Sequence, residues 1–157
     1  MDQKKTLALI GCGRISFKHI EAAVNNASDI TLVAVCDPIL ERAEEKKAEY
    51  LKAFPQAAVA VYTDYRAMLE KEQPDICAIA TESGYHPQIA IDCLKAGAHV
   101  ICEKPMALST QDADAMIGAA DAAGKKLAVC FQNRFNAPVQ RARHSLEAGR
   151  FGKLLHG

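Results

Sequence analysis

A glutamate and a lysine, in the segment Glu103-Lys104-Pro105, follow directly after an apolar run, 98–102, that favours a β-strand. Far upstream, the segment Gly11-Cys12-Gly13 follows another apolar run. Glycines so placed let a backbone turn approach a pyrophosphate, and a lysine can exchange a proton with a reacting hydroxyl. Ligands of open α/β sheets bind outside the carboxyl ends of the strands. The two segments therefore indicate a cofactor pocket beside reaction chemistry, which favours an NAD-dependent oxidoreductase.

Length and charge narrow the possible functions. The chain has 157 residues, enough for one ordinary domain and a short extension. Acidic and basic residues balance at 19 each, which gives no electrostatic case for binding nucleic acid or an anionic membrane. No apolar stretch reaches the roughly 18 residues that a membrane span needs. We expect neither kind of partner, and the cysteines described next indicate a cytoplasmic protein.

The cysteines are the obvious candidates for a metal site or a disulfide framework. Six of them lie at positions 12, 36, 77, 93, 102 and 130, without a Cys-x-x-Cys pair. Most fall inside apolar runs, which is typical of reduced, buried thiols that act as small hydrophobic side chains. We therefore expect no structural or catalytic metal.

Apolar runs alternate with helical patterns, which favours a parallel sheet with helices on both faces. The predicted strands are residues 7–10, 30–36, 59–62, 75–80, 98–102 and 127–131. Phe17, Ile20 and Val24 predict the inward face of the first helix. A second helix is predicted over 40–51, and its charged run, 41–47, is interpreted as a solvated face.

The pattern changes after Phe131. Pro138 suits a first helical position, and Val139, Ala142 and Leu146 mark one helix face. Residues 151–157 are typical of a turn that enters a strand. We therefore divide the chain into a cofactor domain, 1–131, and a connecting helix with the start of a second, α+β domain, 132–157.

The segment Gly11 to Ser16 joins the first strand to the first helix. Gly11 suits the tight turn, and Gly13 lets backbone approach a pyrophosphate. Arg14 and Ile15 open the helix, whose N–H groups and dipole attract phosphate. We assign these four residues to cofactor binding; the alternative is an ordinary glycine turn. Arg14 either faces solvent or covers the cofactor.

Asp37 ends the second predicted strand, where an acidic residue can accept hydrogen bonds from the adenosine ribose. Its carboxylate would repel a 2′-phosphate, and Pro38 leaves no adjacent arginine to offset that repulsion. The sequence therefore favours NAD over NADP. The alternative, that Asp37 caps the following helix, is compatible with the ribose role.

Several short segments occur together in one order. They are Gly11-Cys12-Gly13-Arg14, Cys36-Asp37-Pro38, Thr63-Asp64-Tyr65, Ala80-Thr81 with His86, and the stretch from Ala96 to Pro105. In this combination the chain resembles the Gfo/Idh/MocA family over essentially its whole length. The resemblance implies a doubly wound Rossmann domain followed by a mostly antiparallel sheet domain that completes a sugar site.

The resemblance also implies a role for matched residues. Lys104 would be the catalytic group beside the nicotinamide and the reacting hydroxyl, and Glu103 would contact the nicotinamide-side ribose. Thr81 and His86 would line the cofactor groove, although His86 could instead be a loop residue that helps to start a helix. Glu82-Ser83 stands where family members usually carry Pro-Asn.

The segment from Phe131 to Asn136 resembles a branch of the family that oxidises the 3-hydroxyl of UDP-N-acetylglucosaminuronate-like substrates for surface polysaccharide synthesis. We assign Gln132 to the cofactor site. Two alternatives remain for Gln132 and Arg134: they are polar groups at a strand end, or they contact the substrate. His19 and His99 lie among apolar residues and are interpreted as structural.

These observations predict an NAD-dependent dehydrogenase of a sugar, cyclitol or nucleotide-sugar hydroxyl, homo-oligomeric at full length. The alternative is a nicotinamide-sensing regulator or binding protein without turnover, against which Lys104 argues because a sensor needs no proton acceptor. Orienting a hydroxyl for reaction can be worth roughly 7–11 kcal/mol of the barrier. Because a second domain would supply most of this orientation, we expect residues 1–157 alone to bind NAD without appreciable turnover.

Overall fold

A parallel sheet of six strands forms the centre of the molecule. The computed structural model describes residues 4–155. Its strands are β1 (Lys5–Ile10), β2 (Ile30–Cys36), β3 (Ala60–Tyr62), β4 (Ile76–Ile79), β5 (His99–Cys102) and β6 (Leu127–Val129). Their order is β3-β2-β1-β4-β5-β6, and every neighbouring pair is parallel. All strands therefore present their carboxyl ends at the same edge.

Helices connect the strands. They are α1 (Ser16–Asn25), α2 (Leu40–Leu51), α3 (Tyr65–Glu72), α4 (His86–Lys95), α5 (Thr110–Ala123) and α6 (Ala137–Glu147), with short 3₁₀ helices at Ser83–Tyr85 and Gln132–Phe135. None of the helices within residues 4–155 is long and apolar enough to cross a membrane. The predicted doubly wound parallel architecture is confirmed.

Two hydrophobic cores cover the two faces of the sheet. One includes Ile20 of α1 and Tyr50 of α2. The other includes Met68 of α3, Leu94 of α4 and Met116 of α5. Strands covered on both sides can be apolar along their whole length, which explains why the sequence shows continuous apolar runs rather than alternation. The chain reverses direction across the sheet between β1 and β4, and this switch point is where a ligand crevice forms.

Two predicted apolar faces differ from the structure. Phe17 is 42% exposed because it lies at the edge of the crevice, whereas α1 buries Ile20, as predicted, together with Ala23. The apolar residues of α6 are also exposed, since that helix packs chiefly against the adjacent Gln132–Phe135 turn; they include Val139, Ala142 and Leu146. Residues 151–155 form no strand, and the remainder of the predicted strand, 156–157, lies outside the described residues.

A carboxylate joins the starts of two central strands. Asp75, just before β4, accepts hydrogen bonds from the backbone N–H of Thr6 at 2.9 Å and from its hydroxyl at 3.1 Å. Its other oxygen lies 3.2 Å from the ammonium of Lys5. These donors, led by the Thr6 N–H, lower the pKa of Asp75 below its usual value. The charged form therefore stabilises the native state.

We predict that Asp75→Asn lowers the free energy of unfolding by about 1 kcal/mol at pH 7, since the side chain is partly exposed. A lowered native pKa gives stability that is complete above the unfolded pKa of about 3.9 and is lost as the pH falls through the native pKa. The deficit should therefore shrink below about pH 4. Urea unfolding followed by circular dichroism across this range measures it. Lys5→Ala should cost less, and a deficit independent of pH would contradict the argument.

Candidate functional site

A groove opens at the switch point, outside the carboxyl ends of β1, β2 and β4. Its volume is about 760 Å³. Six of the residues assigned to cofactor binding line it: Gly11, Gly13, Arg14, Ile15, Asp37 and Thr81. They come from the loops after three strands, and the order of the strands brings them together.

Gly11 is where two of these loops meet. Its φ is +92°, and a Cβ there would lie 2.6 Å from both the carbonyl carbon of Ala80 and the nitrogen of Thr81. Its N–H donates to the carbonyl of Cys36 at 2.8 Å. No residue with a side chain fits this turn without displacing the backbone after β4.

Gly13 and the start of α1 form the part of the groove that is suited to binding phosphate. A Cβ on Gly13 would meet nothing within 4 Å, so the glycine leaves open space on that side. The first turn of α1 contains no acidic residue and no side-chain cap in the described structure. Ser16 is buried, and its hydroxyl donates to the carbonyl of Gly13 at 2.5 Å. Such a helix start, with its positive dipole end, attracts an anion.

Asp37 is buried, with 5% of its surface exposed. Its Oδ2 accepts from the N–H of Cys12 at 2.8 Å and its Oδ1 from the N–H of Ile39 at 2.9 Å. The carboxylate therefore orders the turn before α2, whose N-cap is Ile39. Asp37 is therefore not the helix cap that the sequence alternative proposed, because the N-cap of α2 is Ile39 and it has no side-chain cap. Each carboxylate oxygen retains a lone pair that could accept a ribose hydroxyl.

The charged run 41–47 was interpreted from the sequence as a solvated face, and this is wrong for some of its residues. Arg42, Glu45 and Lys46 line the groove, and Lys46 is 8% exposed. The ammonium of Lys46 lies 2.8 Å from a carboxylate oxygen of Glu49 and 3.4 Å from one of Glu45. A run of mixed charge gives no signal in the sequence that one of its side chains lines a pocket.

Aromatic side chains of the groove were also missed. Phe17 and Tyr85 line it while remaining largely exposed. Helical periodicity assigned Phe17 to the core because it counts apolar residues and does not register a neighbouring cavity.

Glu103 lies after β5, and 7% of its surface is exposed. Its Oε1 is 3.2 Å from Nε2 of His19, and its Oε2 accepts from the backbone N–H of Lys104 at 3.3 Å. Burial lowers the pKa of His19, with Glu103 acting in the opposite direction. A neutral imidazole with its proton on Nε2 can donate to the carboxylate and hold its orientation. His19 thus has a specific partner beyond the structural role inferred from its neighbours.

His86 is 1% exposed and does not line the groove, although the family resemblance implied that it would. Its Nδ1 lies 2.9 Å from the carbonyl oxygen of Pro105, and its Nε2 lies 3.0 Å from that of Thr81. The ring therefore connects the segment after β4 with the segment after β5. Any influence of His86 on a bound ligand would pass through these two backbone segments.

Lys104 and Gln132 lie at the same edge of the sheet, outside the lining of the groove. Lys104 is exposed and directly follows β5, and the Lys104–Pro105 peptide bond is cis. Gln132 is exposed and opens the 3₁₀ helix after β6. Because β5 and β6 run parallel to β1, both residues follow strands whose ends point towards the same side as the glycine turn.

The surroundings of the thiols near the site favour their protonated form. Burial raises the pKa of Cys12 to about 12, with the neighbouring Asp37 adding to the effect. Burial likewise raises the pKa of Cys130 to about 11, assisted by Glu103. Thiols of this kind are poor nucleophiles at neutral pH.

The chain is similar to a known family and to several characterised proteins. The model of the Gfo/Idh/MocA family, described as oxidoreductases with an NAD-binding Rossmann fold, matches residues 5–131. D-glucoside 3-dehydrogenase of Escherichia coli K12 is 32% identical, with 94% of this chain and 40% of that protein aligned. Inositol 2-dehydrogenase of Salmonella paratyphi B is 26% identical, over 95% of this chain and 44% of that protein.

A solved structure agrees with these matches. The WlbA dehydrogenase from Bordetella pertussis, crystallised with NADH and UDP-GlcNAcA, superposes with a TM-score of 0.87 at 37% identity. The alignment covers 96% of this chain and 44% of that one. This chain therefore spans about two fifths of the length of the relatives that it matches.

The two glycines of the turn should respond differently to an added methyl group. Gly11→Ala places a Cβ against the backbone after β4 and forces a positive φ, so we expect it to lower the free energy of unfolding by about 3 kcal/mol or more. Gly13→Ala meets open space, so stability should stay within about 0.5 kcal/mol of wild type.

Gly13→Ala should instead weaken NAD binding, about tenfold or more, because the methyl group occupies the approach of the pyrophosphate. Thermal unfolding and isothermal titration with NAD measure the two effects. Equal loss of stability in both variants, or unchanged NAD affinity in Gly13→Ala, would contradict this division of roles.

Proposed function

The chain belongs to the Gfo/Idh/MocA oxidoreductase family and forms its NAD-binding Rossmann domain, and from this premise we propose that it is the cofactor half of an NAD-dependent dehydrogenase. The proposed reaction oxidises a CH–OH group of a sugar, cyclitol or nucleotide sugar. One observation carries the proposal: the groove at the switch point combines an uncapped helix start, the open side of Gly13 and the buried carboxylate of Asp37.

Each part of the groove fits one part of a dinucleotide. The N–H groups at the start of α1 would bind the pyrophosphate, and Arg14 could cover it from the solvent side. Asp37 would accept hydroxyls of the adenosine ribose and disfavour a 2′-phosphate. Glu103, held by His19, would accept from the nicotinamide-side ribose. NAD, when bound, supplies the acceptor for the hydride.

Lys104 is proposed as the catalytic residue. Its exposed side chain follows β5 at the edge of the sheet, on the same segment as Glu103. A neutral amine at Nζ would take the proton from the hydroxyl oxygen as hydride leaves the carbon that bears this hydroxyl, and the ammonium would return the proton in the reverse direction. His86 supports this arrangement, because it connects the Lys104–Pro105 segment with the Thr81 loop.

A nucleotide-sugar substrate is the finer part of the proposal. The segment Phe131 to Asn136 carries the sequence resemblance to that branch, and the WlbA dehydrogenase was crystallised with UDP-GlcNAcA. Gln132, Arg134 and Phe135 are exposed at the strand-end edge of the sheet, where they are available to a ligand. Gln132 would contact the cofactor or the substrate from the β6 side.

We further propose that the full protein is a cytoplasmic homo-oligomer without nucleic-acid or membrane partners. All six cysteines are free thiols, and five of them are buried. Free buried thiols are typical of proteins in a reducing compartment.

Asp37→Ala should weaken NAD about tenfold or more, because hydrogen bonds to a charged acceptor are worth about 1.5–3 kcal/mol, and it should leave NADP less affected. Asp37 also orders two backbone turns, and damage there would weaken both dinucleotides alike. The ratio of the two affinities, from isothermal titration, therefore isolates the ribose contact. Glu45→Ala, which removes an exposed groove carboxylate, is the matched control and should leave the ratio unchanged. A wild-type protein that binds both dinucleotides equally would refute the assignment.

Lys104→Ala in the full-length protein should reduce kcat by about 10²–10⁴-fold while NAD affinity stays within a few-fold. Steady-state kinetics with sugar and nucleotide-sugar substrates, together with NAD titration, separate these effects. Lys126→Ala, an exposed lysine before β6, is the control and should retain normal turnover. Normal turnover in Lys104→Ala would remove this residue from the mechanism.

A further inference from the structure

Three side chains with different donor atoms converge beside the groove. His19 of α1, Glu103 after β5 and Cys130 after β6 each offer one ligand atom, and these atoms all lie within 4.8 Å of one another. Glu103 is buried, and His19 and Cys130 are partly buried. Among residues 4–155, this is the one such group of three or more histidine, cysteine and acidic side chains.

The spacing is close to that of a metal centre. Bonds of about 2.0–2.3 Å place the ligand atoms of a tetrahedral zinc about 3.3–3.6 Å apart. Nε2 of His19 and Oε1 of Glu103 are already 3.2 Å apart. Sγ of Cys130, in the short connection between β6 and the 3₁₀ helix, lies within 4.8 Å of both atoms, and metal binding requires it to move closer.

The donor types favour zinc over the hard cations. A thiolate and an imidazole suit Zn²⁺, whereas Mg²⁺ and Ca²⁺ require a set of oxygen ligands. The backbone N–H of Lys104 donates to the second oxygen of Glu103 at 3.3 Å, which orients the carboxylate as outer-sphere hydrogen bonds do in metal sites. Three protein ligands leave the fourth position for water.

We propose that His19, Glu103 and Cys130 bind Zn²⁺ in the NAD-free protein, and that zinc and NAD exclude one another. The thiol of Cys130 loses its proton to the buffer as Sγ binds the metal, and the His19 proton moves from Nε2 to Nδ1 so that Nε2 can bind the metal. The exclusion rests on the proposed function, because Glu103 is the carboxylate assigned there to the nicotinamide-side ribose. The zinc site itself depends on these three side chains alone.

The metal site is tested on residues 1–157 with Co²⁺ as a spectroscopic probe and Zn²⁺ as competitor. We expect a thiolate-to-cobalt charge-transfer band that one equivalent of Zn²⁺ removes. Cys130→Ser should abolish the band, and His19→Ala should weaken metal binding about tenfold or more. His144→Ala, an exposed histidine on α6, should bind metal as wild type does. An unchanged band in Cys130→Ser, or no binding at all, would overturn the site.

The exclusion is tested by titrating NAD at increasing Zn²⁺. The apparent Kd for NAD should rise with zinc in the wild type and should not rise in Cys130→Ser, which keeps Glu103 and His19. Zinc that binds without changing NAD affinity would overturn the exclusion. Failure of NAD to bind the zinc-free protein would instead refute the proposed function, so the two failures are distinguishable.

Discussion

The contact between the glycine turn after β1 and the backbone after β4 is the constraint on which the rest of the site depends. A Cβ at Gly11 would lie 2.6 Å from that backbone, so the two loops are as close as main chains allow. This closeness fixes where α1 begins relative to the sheet. It also brings the N–H of Cys12 to 2.8 Å from Asp37, so that the phosphate and ribose regions of the groove are set by one turn.

Local patterns in the sequence predicted the elements well. The bounds of β2 and α2 agree with the predicted ranges, and the other strands differ by a few residues at their ends. The cap of α5 is equally local: the hydroxyl of Ser109 accepts from the N–H of Asp112. These features depend on residues close together in the chain, where apolar period and capping chemistry decide the outcome. The glycine turn and Asp37 line the groove because both directly follow strands, and their roles in binding stay predictions.

Contacts between distant residues could not be predicted in this way. His19 and Glu103 are 84 positions apart, and neither has a neighbour that indicates the other. The ring of His86 lies between two carbonyl oxygens, and whether a histidine before a proline points into a groove or into the core is decided by the packing of α4. The exposed apolar residues of α6 illustrate a related problem. An apolar stripe indicates that a helix can pack against something, but it does not identify the partner.

The hydrogen bonds of Asp37 have a consequence for the energetics of recognition. Its carboxylate loses most of its water and its rotational freedom when the protein folds, because two backbone N–H groups already bind it. A ligand arriving at the groove therefore meets an acceptor that is dehydrated and oriented in advance. The entropic and desolvation costs fall on folding rather than on association, so more of the interaction free energy remains as affinity.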